Sequence, residues 1–363
     1  MEQKHLVAEI QVRIFAIDFL CKVIFELIKL NMEETIRDIG YSNMREMLKS
    51  CLLGVQERAK STDLPGLSSG LEPLDNFTGG LEKGKVYVIG GRPGVGKDEL
   101  MLSMILDVIL RSRCSVLLFS TNYMKQDYMQ RLLSIHCNIP TTRLSQGFLE
   151  PHEWDRLDKN VETLANGDLF IHDSFDLPLN ELIETARFCI RETGAKVIFI
   201  DCLQMIDLAN DDGNTSERIK KVMCSLKQLA CFLDVPIVAG AMLSREVEYR
   251  EEAKIKHPQL MDMAIPCYAE ILADVIMIVH RPEGNRIRSR DLQGKIEILL
   301  KKNNLRPLGN ILLDYHQDTG VLSFGKKTIK SESKAAGLKE LNTHNKAIKN
   351  LIETFNLEEA MPF

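Results

Sequence analysis

The chain has 363 residues, a formal net charge of -5 and a pI near 6.0, a balance that excludes a broadly basic nucleic-acid coat and leaves room only for a local basic stripe. Apolar residues make up 45% and charged residues 27%, which is a globular mix, and a core of about 260 residues closes without disulfides. The cysteines Cys21, Cys51, Cys114, Cys137, Cys189, Cys202, Cys224, Cys231 and Cys267 are odd in number and form no CxxC pair. They read as reduced thiols of a cytoplasmic protein, not as a disulfide or zinc framework.

The first segment, LVAEIQVRIFAIDFLCKVIFELIKL over residues 6–30, is apolar enough to invite comparison with a membrane span. Gln11, Asp18, Lys22, Glu26 and Lys29 fall within about 80° of one another on a 3.6-residue helix, however, and a charged stripe through the middle makes a bilayer span expensive. No small-residue cleavage site follows, so it does not read as a signal peptide either. The segment is expected to be a helix buried in a bundle or a subunit interface. Asn31 with Glu34 suggests a capping box, Gly40 a helix stop, and Ser42 the cap of a further helix over roughly 43–60. STDLPGLSSG then reads as a linker. The expected divisions are a helical segment over 1–60, an α/β domain over 61–325, and a tail over 326–363 that is helical from Ala335 to Thr354.

From about residue 71 to 325 short β-rich runs alternate with helical stretches. The runs are VYVIG (86–90), SVLLFS (115–120), LFIHD (169–173), KVIFID (196–201), PIVAG (236–240), DVIMIVH (274–280) and KIEILL (295–300). Continuous apolar runs between helices predict a mostly parallel sheet covered on both faces.

The first run leads into Gly91-Arg92-Pro93-Gly94-Val95-Gly96-Lys97, a Walker A pattern between a strand and a helix. Gly91, Gly94 and Gly96 let backbone N–H groups crowd around phosphates, Lys97 places a point charge on the outer phosphates, and the helix N-terminus adds its own positive field. The next position wants Ser or Thr to ligate magnesium and here is Asp98, whose charge would also face a triphosphate. KVIFID ends in Asp201, the place for an acidic residue that holds magnesium through water. The pattern therefore points to ATP with magnesium.

Asp201-Cys202-Leu203-Gln204 resembles the aspartate and Tyr-Leu-Gln run of the hexameric DnaB-type replicative DNA helicases. GLSSGLEPLD (66–75), RPGVGK and LADVIMIVHRPE (272–283) are similar to other stretches of that family's motor domain. The resemblance implies a RecA-like P-loop NTPase, preceded here by a short helical segment that keeps only the family's linker helix. It further implies a homo- or hetero-oligomer, expected to be a hexameric ring, with single-stranded DNA and other replication proteins as partners and no membrane.

Carried over by position, the resemblance puts Asn122 where the family has a glutamate that activates the attacking water, and Met242 where it has a glutamine that links nucleotide state to DNA binding, with Gln204 and Arg245 retained as further DNA-coupling positions. The family's trans-acting Lys-x-Arg finger falls on Lys302-Asn303-Asn304, so Lys302 is retained and Asn304 replaces the arginine, with Arg306 close by. An amide can orient a water but cannot take its proton. Departures at Asp98, Asn122, Met242 and Asn304 imply impaired ATP hydrolysis and a pseudoenzyme acting as a structural or regulatory ring component. Two other readings stay open, an active ATP-dependent helicase with substituted residues and a RecA-type scaffold without a DNA role.

The two loops that carry DNA contacts in the family read here as DLANDDGNTSER (207–218) and Arg245 to His257. Asp207, Asp211 and Asp212 would repel phosphates in the first, and opposite charges cancel in the second. The last residues, Glu358-Glu359-Ala360-Met361-Pro362-Phe363, resemble the acidic tip of bacterial single-stranded-DNA-binding proteins, though a frayed tail is the favoured reading.

Overall fold

The computed structural model describes residues 43–60, 64–208, 215–249, 257–263, 267–282, 292–304 and 306–324. The expectations for residues 1–42, for the C-terminal tail and its tip, and for Asp211 and Asp212 fall outside these residues. The described helix α1, Met44–Lys60, meets the helix expected over 43–60 and belongs to a separate unit from the compact body Asp63–Ile329.

That body begins with α2 (Glu72–Thr78) and β1 (Val86–Gly91), then α3 (Lys97–Leu110), β2 (Val116–Ser120), α4 (Lys125–Cys137), α5 (Thr141–Gln146), α6 (Pro151–Ala165) and β3 (Leu169–Asp173). It continues through β4 (Leu177–Pro178), α7 (Leu179–Thr193), β5 (Val197–Ile200), β6 (Ile206–Asp207), α8 (Thr215–Leu233), β7 (Ile237–Met242) and α9 (Glu246–Tyr249). It ends with α10 (Cys267–Leu272), β8 (Val275–His280), β9 (Lys295–Asn303), β10 (Gly309–His316) and β11 (Val321–Ser323). All seven sequence runs are strands. They lie in one nine-stranded sheet of order β11-β10-β9-β8-β1-β7-β5-β2-β3, parallel from β8 to β3 and antiparallel from β8 through β11. The sheet is α/β and mostly parallel, as expected.

The period of two along each strand divides the core into two halves. Val86 and Val88 of β1, Leu117 and Phe119 of β2, and Ile198 and Ile200 of β5 pack with Leu182 and Ala186 of α7 and Met223 and Leu226 of α8. Tyr87 and Ile89, Val116 and Leu118, and Val197 and Phe199 face the other way, onto Leu100, Met104 and Ile105 of α3 and Tyr128 and Leu132 of α4. A strand that buries both rows has no polar face to alternate with, which is why β1 and β2 read as unbroken apolar runs. Each fully buried Leu, Ile or Phe contributes about 1.5–3 kcal/mol.

Local sequence sets the helix limits. Proline opens α2 and α6, where its missing N–H costs nothing, and a reciprocal capping box between Glu150 and Glu153 fixes the start of α6. The sheet's next joint is Asp274, ahead of β8. Its Oδ2 accepts hydrogen bonds from Val86 N at 2.8 Å and Lys227 Nζ at 2.6 Å, so it binds the start of β1 to α8.

Gly240 of β7 sits directly beside Asp201 at the end of β5. A Cβ there would stand 2.1 Å from the Asp201 carbonyl oxygen and 2.9 Å from Lys97 Nζ. Gly240→Ala is therefore expected to cost about 1–3 kcal/mol, the range for overpacking. Urea denaturation checks this, and a midpoint equal to that of the natural chain would show that the strands yield without cost.

Candidate phosphate site

The site forms at the carboxyl ends of β1, β2, β5 and β7. The turn after β1 needs left-handed backbone, and Gly94 and Gly96 supply it at φ 76° and 105°. Gly96 caps α3, so Lys97 and Asp98 are the first two helical residues. Arg92 Nη1 donates to the Leu243 carbonyl at 2.9 Å and Arg281 Nη1 to the Gly94 carbonyl at 3.5 Å, holding the loop from two sides. Pro93 and Gly94 are exposed, Arg92 and Val95 half-buried, and Gly91, Gly96 and Lys97 buried.

Lys97 turns inward. Its Nζ donates to the backbone carbonyl of Asp201 at 3.0 Å and lies 2.7 Å from Asp98 Oδ1. Asp98 Oδ2 accepts the Tyr123 hydroxyl at 3.3 Å and lies 3.7 Å from Arg131. Arg131 also pairs with Glu99 at 2.7 Å and lies over the Tyr123 ring, 4.8 Å from its centre. Burial by itself would raise the Asp98 carboxyl. The Lys97 ammonium beside it, with Arg131 and the Tyr123 hydroxyl, outweighs burial and holds it below the usual carboxylate range.

Asp201 is 1% exposed and its carboxylate is saturated. Oδ1 accepts Thr121 N at 2.9 Å and the Thr121 hydroxyl at 2.6 Å, and Oδ2 accepts Asn122 N at 3.0 Å and the Tyr128 hydroxyl at 3.0 Å. With the Ser120 hydroxyl 3.4 Å from Oδ2 as a fifth donor, the roughly four lone-pair sites of the carboxylate are filled. Burial and the Asp201 charge push the Tyr128 hydroxyl well above the ordinary tyrosine value, so it stays a donor. A magnesium-bound water would need one of those lone pairs, and Asp98 is already paired with Lys97. The residues present do not fit a magnesium site in this arrangement.

The other expected residues fall into separate places. Gln204 and Met242 meet: the Gln204 amide donates to the Met242 carbonyl at 3.3 Å and accepts from Met242 N at 3.1 Å, while Arg245 is exposed just beyond. Asn122 is half-buried beside Asp201. Lys302 and Asn304 lie at the end of β9, beyond three strands from β5 in the sheet order. Lys302 Nζ donates to the carbonyls of Glu270, Ile271 and Ala273 at 2.5, 3.0 and 2.6 Å, closing the end of α10. Asn304 N donates to the Asp274 carbonyl at 3.0 Å, and Arg306 pairs with Glu82 at 3.0 Å. In the first loop, Asp207 accepts from Arg218 at 3.0 Å. Sequence reasoning missed Thr121, Tyr123, Tyr128 and Arg131. Only Thr121 left a signal, a hydroxyl one residue past the end of β2.

Two outcomes follow. Tyr128→Phe removes a hydrogen bond to a buried charge and is expected to cost about 1.5–3 kcal/mol in urea denaturation. A loss under about 0.5 kcal/mol would show that Thr121 and Asn122 hold Asp201 without it. The Asp98 carboxyl is held below its free value of 3.8, so its contribution is complete above that pH and is lost as pH falls through the folded value. The stability gap between the natural chain and Asp98→Asn should therefore be widest near neutrality and close in strong acid. A gap that widened on acidification would reverse the assignment.

The sequence profile of the DnaB-like helicase C terminal domain matches residues 66–323. The chain is 28% identical over 280 residues to the replicative DNA helicase DnaB of Geobacillus stearothermophilus, covering 76% of this chain and 60% of that protein. It is 30% identical over 255 residues to the replicative DNA helicase DnaB of Treponema pallidum, covering 70% and 55%. Among solved structures it is similar to the ATPase domain of G40P, with a TM-score of 0.71 and 24% identity over 77% of this chain and 99% of that one. It is similar too to a DnaB-like replicative helicase solved for its interactions with primase, with a TM-score of 0.70 and 24% identity over 78% and 67%. The fold is therefore the RecA-like ATPase fold of these structures, and the chain spans about 60% of the length of the first of these curated relatives. A profile match across most of the chain, over the same stretch that carries the P-loop, Asp201 and the Gln204–Met242 contact, makes this chain a member of the DnaB-like helicase C-terminal domain family.

Proposed function

We propose that the chain is a DnaB-like component of a replication helicase ring that binds nucleotide at Gly91–Asp98 and hydrolyses ATP poorly, acting as a structural or regulatory subunit. The observation that carries this is Asn122. It follows β2 on the rim of the phosphate site, and its backbone N–H is held by Asp201. A carboxamide there can hold a water by hydrogen bonds but has no basicity with which to take its proton.

Lys302 supports the same reading. Its ammonium is occupied by three carbonyls, and burial pulls it below the ordinary lysine value, so moving it to a neighbouring subunit's nucleotide would uncap α10. An arginine finger in trans raises turnover by about a thousandfold or more in related NTPases, and Asn304 offers no such charge. Nucleotide sites between subunits, single-stranded DNA in a ring channel, and a cytoplasmic setting belong to this proposal. So does a primase-like partner, which the related helicase structure motivates.

One contact favours the second reading, an active helicase with substituted residues. Gln204 and the backbone of Met242 still join the end of β5 to the end of β7, the connection through which phosphate state would reach the DNA-facing loops. Steady-state ATP hydrolysis by the purified chain separates the two, measured with and without single-stranded DNA beside Lys97→Ala. Turnover indistinguishable from the variant in both conditions is the expected result. DNA-stimulated turnover at least about tenfold above the variant would establish the active helicase instead.

A further inference from the structure

A phosphate-binding loop normally presents an unpaired lysine and a helix N-terminus to an incoming anion. In this chain both are already engaged by the residue that follows the lysine. Asp98 is the second residue of α3, where a carboxylate meets the positive end of the helix. Its Oδ1 is also the counter-ion of Lys97, at 2.7 Å. These are the two electrostatic tasks that a bound phosphate performs.

The surroundings hold the carboxylate there. Lys97 is held inward: its Nζ donates to the Asp201 carbonyl at 3.0 Å and sits where a Cβ on Gly240 would stand 2.9 Å from it. The other oxygen of Asp98 is held by the Tyr123 hydroxyl, with Arg131 beyond it. Arg131 is itself anchored by Glu99 and by the face of Tyr123. The two cations of the cluster, Lys97 and Arg131, are thus already matched by two carboxylates, those of Asp98 and Glu99. A triphosphate arriving here must break the ion pair and then lie beside the displaced carboxylate. A divalent cation would ease this only by drawing a lone pair from Asp98 or from the saturated Asp201.

We propose that Asp98 is an internal phosphate mimic that keeps the phosphate loop of this chain neutralised, so that the residue after the lysine, and not a missing metal, limits how tightly nucleotide binds. The inference rests on reading Gly91–Asp98 as a nucleotide site, and it is read from binding and not from turnover. Asp98→Asn removes the charge and keeps the shape. Asp98→Ser removes the carboxylate and leaves a hydroxyl.

The test is titration of the full chain with a fluorescent ADP analogue, by anisotropy, with saturating magnesium and with EDTA. Wild-type affinity is expected to be weak and to change less than about threefold on adding magnesium. Both variants should bind at least about tenfold more tightly with magnesium, and Asp98→Ser should become magnesium-dependent. Thermal melts show whether each variant is folded. Folded variants that bind no more tightly than the natural chain would overturn the proposal. So would a tenfold gain on adding magnesium to the natural chain, which would make Asp98 a metal ligand; that arm needs no variant. The two readings fail separately. Vigorous DNA-stimulated hydrolysis would sink the impaired-ATPase reading and leave this one to the binding data. Absence of turnover, with Asp98 variants binding no better, would sink this one alone.

Discussion

Everything at the carboxyl edge of the sheet is organised around one buried charge, Asp201. A carboxylate that is 1% exposed is tolerated only when its lone pairs are filled, and here the filling groups come from other elements. Thr121 and Asn122 reach it from the end of β2, and Tyr128 reaches it from α4. The carbonyl of the same residue receives Lys97 from the phosphate loop. The ends of β5 and β2, the start of α3 and one face of α4 are thereby fixed to a single residue. Removing any one donor costs more than the bond itself is worth, because the charge it leaves behind cannot reach water.

The same economy explains why the cluster is self-contained. Lys97 and Arg131 are both partly desolvated cations, and each needs an anion. Asp98 serves both, with Glu99 as the second partner of Arg131. Tyr123 joins Asp98 to Arg131, its hydroxyl on the carboxylate and its ring under the guanidinium. A site that completes its own electrostatics gains stability at the expense of affinity for an outside anion, which is the usual direction of exchange between stability and function.

Much of the fold could be read along the chain, because the signals were local. Strands buried on both faces appear as apolar runs, and the phosphate loop announces itself by glycines at positions that need positive φ. The antiparallel strands β10 and β11 were not recognised. GNILLDYH alternates buried and exposed residues at the sheet's margin and never forms an unbroken apolar run. Within the site, the residues named in advance are those fixed by spacing from the loop or from Asp201. Thr121, Tyr123, Tyr128 and Arg131 act through contacts between elements that are 25 to 80 residues apart in sequence, such as Tyr123 with Asp98 and Thr121 with Asp201, and no local pattern encodes such pairs.

Lys302 shows the same limit from the other side. The resemblance to the family aligns it with a trans-acting lysine. What it touches, though, depends on the antiparallel pairing of β9 with β8, which puts Lys302 opposite Ile276 and brings its side chain to the open end of α10. Three carbonyls at a helix end make a strong site for a cation, since each is an unsatisfied acceptor and the helix dipole adds to their pull. A lysine bound there contributes to the fold. To act on a neighbour's phosphate it would have to leave three acceptors unpaired, and neither Asn304 nor Arg306, already bound to Asp274 and Glu82, is placed to take over the cap. Retention of a residue type thus says little about retention of its role until its contacts are known.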